Sequence, residues 1–218
     1  MNSITENLSR IKAELPKQVT LVAVSKTKPN EAIEEAYSAG HREFGENKVQ
    51  EIQNKVPALP EDIHWHFIGH LQRNKVKYIA PSVHLIHGVD SLRLAVEIHK
   101  RAEQNNRVLD VLLQVHIAEE STKFGFDFDE LYSLIESKEL ETLTGINIRG
   151  LMGMATFTED SSQVRREFQK LKRGFDKIKT SFSNCDTLSM GMSNDYKIAI
   201  EEGSTMVRIG TDIFGGRA

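Results

Sequence analysis

Lys26 stands at the end of the apolar run in VAVSKTKP, where a primary amine can do carbonyl chemistry. A lysine leaving a strand rich in Val, Ala and Leu is partly withdrawn from water, which disfavours the ammonium and lowers the pKa from its reference near about 10.4. The neutral amine can attack an aldehyde or ketone and form a Schiff base. The plainer reading is a surface lysine just past a strand, with Lys28 beside it for comparison. Near the other end of the chain, Ser193 in LSMGMSND and Gly210–Thr211 in MVRIGTDIF combine small residues with hydroxyls. Glycine lets a ligand approach the backbone, and Ser or Thr hydroxyls add donors to backbone N–H groups, which suits a phosphate. Ser193 or Asn194 could also start a helix through Ala199, whose N-terminal dipole favours an anion. Each segment taken alone reads as ordinary capping and turn chemistry; the pair points to phosphate. Arg208 shares one side of its segment with Met206 and Gly210. A guanidinium turned into a core needs an acceptor. A carboxylate such as Glu46 is the structural candidate. The nitrogen of a heteroaromatic ring is the other, and beside a permanent cation it would stay unprotonated.

These groups need elements to bring them together. Short β-rich segments alternate with stretches of helical period: Thr20–Ser25, Glu43–Gly45, His64–Ile68, Val83–His87, Leu109–Ile117, Gly145–Met152, Thr187–Met190 and Met206–Ile209. Several are nearly continuous apolar runs, as parallel strands covered on both faces require. Between them, Leu92, Ala95, Val96, His99 and Ala102 share one face of Ser91–Asn105, with Asp90 or Ser91 placed to cap it. Val164, Phe168, Leu171, Phe175 and Ile178 form a similar stripe on Ser161–Thr180, and Asn30 is placed to cap a helix to Ala39 closed by Gly40. Eight strand–helix repeats predict an α/β fold, a closed (β/α)8 TIM barrel in one domain over residues 1–218. An open doubly wound sheet offers no reason for eight repeats. Barrels assemble their sites at the C-terminal ends of the strands, and phosphate often binds after strands seven and eight, where Ser193 and Gly210–Thr211 fall. Only Thr211–Ala218 follow the last strand, so an extra N-terminal helix with Ile4, Leu8, Ile11 and Leu15 on one stripe is expected to cover that wall.

Composition narrows the function classes. The 218 residues are 39% hydrophobic and 27% charged, a globular mixture. With 28 basic against 31 acidic residues the net charge is −3, which argues against a nucleic-acid surface. Cys185 stands alone, which rules out an intrachain disulfide and a Cys-based zinc site, and it is expected to pack just before strand seven. The opening MNSITENLSRIKAELP lacks the apolar stretch of a signal peptide, and no run approaches the roughly 18 residues of a membrane span. A cytoplasmic protein with no membrane partner is the expectation. His64, His66, His70, His84 and His87 invite a metal reading, but no HExxH or carboxylate motif accompanies them, and no metal site is expected. His64 is read as lining a wall and His70 as capping a helix after Gly69. Met152, Met154, Met190 and Met192 read as packing, and Trp65 as packing outward against helices.

Taken together, VAVSKTKP (Val22–Pro29), FGENKVQE (Phe44–Glu51), WHFIGHLQRNK (Trp65–Lys75), RGLMGMA (Arg149–Ala155), LSMGMSND (Leu188–Asp195) and GSTMVRIGTDIFG (Gly203–Gly215) resemble the pyridoxal phosphate homeostasis protein family, its bacterial members most. The resemblance spans almost the whole chain in the same order. It implies a barrel of the alanine racemase type, the third fold type of pyridoxal phosphate proteins, and pyridoxal 5′-phosphate as cofactor. By this resemblance Lys26 matches the Schiff-base lysine, and Ser193, Gly210 and Thr211 match the residues that hold the phosphate. Arg208 matches the residue facing the pyridine nitrogen, Asn47 one near the ring, and Met192 a contact beside the phosphate loop. Gln114–Phe126 departs from the family pattern, with His116 for the usual Asn and Phe124 for a small residue, while Lys123 and Gly125 remain. That departure concerns the outer pocket.

Binding and catalysis are separate expectations. Carbanion chemistry uses the cofactor ring as an electron sink, best when its nitrogen is protonated. An arginine there opposes protonation and disfavours transamination and β-elimination. Racemisation needs acid/base groups on both faces of the α-carbon. Lys26 can serve one. In alanine racemases a tyrosine from a second domain and subunit serves the other, whereas Tyr37, Tyr78, Tyr132 and Tyr196 fall in predicted helices. The resemblance therefore implies a non-catalytic monomer that stores or delivers pyridoxal 5′-phosphate, with apo-enzymes that use the cofactor as recipients. The alternatives are a pyridoxal phosphate-dependent amino-acid racemase and a class I-like aldolase using Lys26 on a sugar phosphate.

Overall fold

The last strand closes the sheet onto the first, with Thr20 to Ala23 running parallel beside Met206 to Ile209. The computed structural model describes residues 3–120 and 124–216. Within them β1 (Thr20–Val24), β2 (Glu43–Glu46), β3 (His64–Phe67), β4 (Leu85–Val89), β5 (Leu109–Gln114), β6 (Ile146–Met152), β7 (Thr187–Met192) and β8 (Met206–Ile209) pair in chain order as a closed barrel. All eight expected strands are present. The fourth begins two residues later than the apolar run suggests, because Val83 packs in the outer core before the ladder starts. The fifth stops at Gln114, and Val115 then makes an isolated bridge to Phe126.

Helices wrap this barrel. They are α1 (Ile4–Glu14), α2 (Asn30–Ser38), α3 (Val49–Lys55), α4 (Val76–Ile79), α5 (Leu92–Gln104), α6 (Phe128–Glu136), α7 (Ser161–Ile178), α8 (Tyr196–Glu201) and α9 (Thr211–Phe214). A reciprocal capping box between Ser3 and Glu6 starts α1. Its buried Leu8 and Ile11 lie on the core side, and the helix packs on α2 and α9, covering the wall that the short final helix leaves open. Pro29, not Asn30, occupies the cap position of α2 and makes no side-chain cap bond. Ser91 caps α5 as expected, but the buried stripe is Leu94, Ala95, Ile98 and Ala102, and Val96 is exposed. The predicted stripe was rotated because Val96 and His99 fit a helical period as well as their neighbours do.

Alternation along the strands makes two cores. Val22, Leu85, Leu112, Met152 and Met206 fill the barrel interior. Phe44, Trp65, Phe168 and Leu171 belong to the larger shell between strands and helices, so Trp65 does face outward. Cys185 is half-buried just before β7, and burial, helped by the charge of Asp186, pushes its thiol up to about 11. Among the described residues no helix is long and apolar enough to cross a membrane.

Candidate functional site

A cavity of about 610 Å³ opens at the C-terminal ends of the strands, within the usual size range for small-molecule sites. Lys26, Asn47, Met192, Ser193, Arg208, Gly210 and Thr211 all line it. Residues far apart in sequence meet there because they lie at or just past the ends of four parallel strands, β1, β2, β7 and β8.

Lys26 lies two residues past β1, half-buried, and makes no hydrogen bond or ion pair among the described residues. Lys28 is engaged elsewhere: its Nζ donates to the carbonyls of Phe214, Gly215 and Gly216 at 3.1, 3.1 and 2.9 Å. The two lysines therefore differ in availability. Between them Thr27 has a φ of 64°, a left-handed conformation that is costly for a β-branched residue. Its N–H donates to Glu51 Oε2 at 2.7 Å. Behind this turn Lys55 Nζ donates to the Ser25 carbonyl, to Glu46 Oε1 and to Glu51 Oε2 at 3.0, 2.7 and 2.8 Å, and Ser25 Oγ donates to the same Glu46 oxygen at 2.6 Å. This buried network was missed from the sequence. The spacing of Glu51 and Lys55 on one helix face was its only signal.

Glu46 is thus committed to Lys55 and Ser25 and is not the partner of Arg208. Arg208 is 4% exposed and donates from NH1 to the Ser189 carbonyl and Oγ, at 2.9 and 2.6 Å, and from NH2 to the Gly153 carbonyl at 3.2 Å. Burial, opposed by the charge of Asp195, pushes its pKa down to about 10, so it remains a cation at neutral pH. Three of its five N–H donors are used, which leaves donors for the cavity it lines.

On the neighbouring strand, β7 ends at Met192 and the chain turns through Ser193 and Asn194. The following helix starts at Tyr196, with Asp195 at its cap position, rather than at Ser193 or Asn194. Asp195 Oδ1 instead accepts the Met192 N–H at 2.6 Å and shapes the turn. Gly210 precedes the first turn of α9, where helix geometry leaves the N–H groups of Thr211 and Asp212 without intrahelical acceptors. A Cβ at Gly210 would sit 3.1 Å from the Val24 carbonyl.

Asn47 follows β2, and its Oδ1 is buried with no hydrogen-bond partner. Gly69 makes that placement feasible, since a Cβ there would come within 2.3 Å of the Asn47 carbonyl. His70 does not cap a helix. Its Nδ1 lies 3.1 Å from Asp90 Oδ2, and its ring stacks on Phe124 with centroids 3.8 Å apart. Phe124 and the exposed Phe157 stand at the rim, so the unusual Phe124 does touch the outer pocket. His116 faces away from the cavity lining and pairs with the Glu120 carbonyl. Lys123 lies outside the described residues.

None of the tyrosines lines the cavity; the Tyr196 hydroxyl donates to Glu14 Oε2 at 2.8 Å on α1. Met154 and Met192 line it, whereas Met152 and Met190 are core residues. At the barrel's other mouth, Glu43, His64 and His84 bring potential ligand atoms within 4.8 Å of one another. Both Glu43 oxygens are already in hydrogen bonds there, with His64 Nδ1 and His66 Nε2, each at 2.7 Å.

An unengaged amine, an unsatisfied amide oxygen, a buried cation with spare donors and a turn of open amides suit a small anionic aldehyde with a heteroaromatic ring. The whole chain, residues 1–218, matches the alanine racemase N-terminal domain. It is 46% identical over 199 residues to the pyridoxal phosphate homeostasis protein of Aquifex aeolicus, covering 90% of this chain and 86% of that one. With the Escherichia coli K12 protein of the same name the identity is 39% over 234 residues, covering 100% and 98%. The solved structure of PipY from Synechococcus elongatus, 36% identical, superposes with a TM-score of 0.92 without PLP, and 0.88 with PLP bound, over 98% of this chain and 100% of PipY. An alanine racemase of Clostridium difficile, 15% identical, shares the barrel with a TM-score of 0.80 over 99% of this chain and 57% of its own.

Proposed function

The chain belongs to the pyridoxal phosphate homeostasis protein family, and from that premise we propose that its cavity holds pyridoxal 5′-phosphate on Lys26. The protein stores this cofactor and hands it on without turning over a substrate. The observation that carries this reading is the unengaged Lys26 amine lining the same cavity as Arg208 and the Ser193 and Gly210–Thr211 turns. When bound, the cofactor supplies a reactive aldehyde, a pyridine ring and an anionic phosphate.

Each role follows from placement. Lys26 Nζ attacks the aldehyde carbon and water leaves, so the aldehyde is shielded from other amines. Displacement by a second amine returns Lys26 to its starting state, which gives a route for hand-over to apo-enzymes. Ser193, Thr211 and the amides of the α9 turn bind the phosphate. Asn47 offers its unsatisfied oxygen to a donor on the ring side. Arg208 directs N–H donors at the ring nitrogen and opposes its protonation.

None of the four tyrosines lines the cavity, so none is placed as the second acid/base that racemisation needs. The test is a titration of the purified protein with pyridoxal 5′-phosphate, followed by visible absorbance, together with a circular-dichroism assay on L- and D-alanine. A saturable new absorption band with no turnover is expected. Turnover abolished by Lys26→Ala would establish the racemase instead, and trapping of a ketose phosphate without pyridoxal phosphate would establish the aldolase.

The phosphate cradle gives its own expectation. Ser193→Ala and Thr211→Ala should each weaken retention by about 1.5–3 kcal/mol, roughly tenfold or more, because each removes a bond to a charged acceptor. Cofactor release followed by fluorescence checks this. Unchanged release from both variants would contradict the cradle.

A further inference from the structure

Polar side chains cross the barrel interior from one mouth to the other. Arg208 NH1 donates to Ser189 Oγ at 2.6 Å. Ser189 Oγ lies 3.0 Å from His87 Nδ1, and His87 Nε2 lies 2.9 Å from His66 Nδ1. His66 Nε2 in turn lies 2.7 Å from Glu43 Oε2. Arg208, Ser189, His87 and His66 are all buried, whereas Glu43 is half-buried at the mouth remote from the cavity.

With His66 neutral, the two ends fix every role between them. Arg208 can only donate, and an ionised Glu43 can only accept. Burial raises the Glu43 carboxyl, but the hydrogen bonds from His66 and His64 outweigh it and hold the group down to about 2. His66 therefore donates from Nε2 and, when neutral, accepts at Nδ1. His87 then donates from Nε2 and accepts at Nδ1, and the Ser189 hydroxyl donates to His87 while accepting from Arg208. Burial above all, with the Arg208 cation nearby, pushes the His87 pKa well below the ordinary histidine value, in keeping with a neutral ring. With these tautomers all four bonds point the same way, from cation to carboxylate. The opposite orientation would aim His87 Nδ1–H and an Arg208 N–H at one serine oxygen and leave the hydroxyl proton without an acceptor in the chain.

We propose that His87 and Ser189, backed by His66, are positioning residues for Arg208: they fix the guanidinium's aim at the ring nitrogen and link that buried cation to Glu43 at the opposite mouth. The identity of the ring rests on the function proposed above. Backbone carbonyls of Ser189 and Gly153 also hold the guanidinium, and the charge of Asp195 favours its charged form. The serine hydroxyl joins it to a carboxylate through an unbroken hydrogen-bonded path, and in a low-dielectric interior such bonds polarise one another.

Two measurements test this. In the ligand-free protein, imidazole 15N–1H correlation spectra should find His66 and His87 both protonated on Nε2 only. A proton on His87 Nδ1 would overturn the chain, whatever the protein binds. In the protein loaded with ring-15N pyridoxal 5′-phosphate, Ser189→Ala should move the ring-nitrogen resonance toward that of a pyridine with no donor, and Ser189→Thr should restore it. Inorganic phosphate affinity, read separately, should stay within about twofold because that site is distant from the change. A ring resonance unmoved in Ser189→Ala, with cofactor still bound, would overturn the positioning role. Absence of cofactor binding by the wild-type protein would overturn the proposed function, and the positioning role that rests on it, while the tautomer result still decides whether the chain exists.

Discussion

Lys26→Ala is expected to abolish covalent retention of pyridoxal 5′-phosphate and to leave the barrel folded. The side chain makes no hydrogen bond or ion pair among the described residues, so its removal leaves no buried group unpaired. A half-exposed substitution of this kind changes stability by about 0.5 kcal/mol or less. The phosphate cradle and Arg208 remain, so weak, reversible binding should persist while borohydride no longer fixes the cofactor to the protein. Lys28 is no substitute, because its ammonium is held by three carbonyls at the end of α9. Mass spectrometry of the reduced variant checks this. Cofactor fixed to Lys28 in Lys26→Ala would show that the two amines are interchangeable.

Lys55→Met should produce the largest loss of stability. Its ammonium is the common donor to the Ser25 carbonyl, Glu46 and Glu51, and the side chains of Lys55 and Glu46 are 7% and 0% exposed. Removing one partner of a buried pair leaves the other charge uncompensated, at a cost of about 3–5 kcal/mol. The effect depends on pH with a definite sign. Burial pushes the Glu46 carboxyl up to about 7, against the hydrogen bonds from Lys55 and Ser25. A carboxyl raised above its unfolded value favours folding fully below that value, and the contribution is lost as pH rises through about 7. Without Lys55 the carboxylate is worse placed still. The variant's denaturant midpoint should therefore fall further below wild type at pH 8 than at pH 5.5, where Glu46 takes a proton. An equal loss at both pH values would mean that Lys55 acts by packing alone. Where the variant folds, it should also retain cofactor less well, because the Thr27 turn that presents Lys26 loses the anchored Glu51.

The parts of this molecule legible in its sequence are those set by local pattern. Eight β-rich segments became eight strands, several of them nearly unbroken apolar runs because those strands are buried on both faces. Placing Ser193, Gly210 and Thr211 after strands seven and eight was enough to bring them to one mouth. Pattern failed where two solutions fit one period, as with the stripe of α5, where Val96 proved exposed. It failed again where partners come from different strands. Strand alternation puts Arg208 inside the barrel, yet says nothing of whether Glu46 or Ser189 meets it. The answer depends on Lys55, which reaches Glu46 from the neighbouring helix. The histidines followed the same course: His66 and His87, weighed in the sequence only as part of a metal cluster, proved to be consecutive members of one interior chain. Lys26 and Lys28 were alike by position. Resemblance to a family separated them first, and the three carbonyls around Lys28 supply the physical difference.

Incubation of the wild-type protein with pyridoxal 5′-phosphate, borohydride reduction, proteolysis and peptide mass mapping tests the central claim most directly. The modified mass should fall on the peptide containing Lys26 and no other. An unmodified Lys26, in protein that has taken up the cofactor, would contradict it.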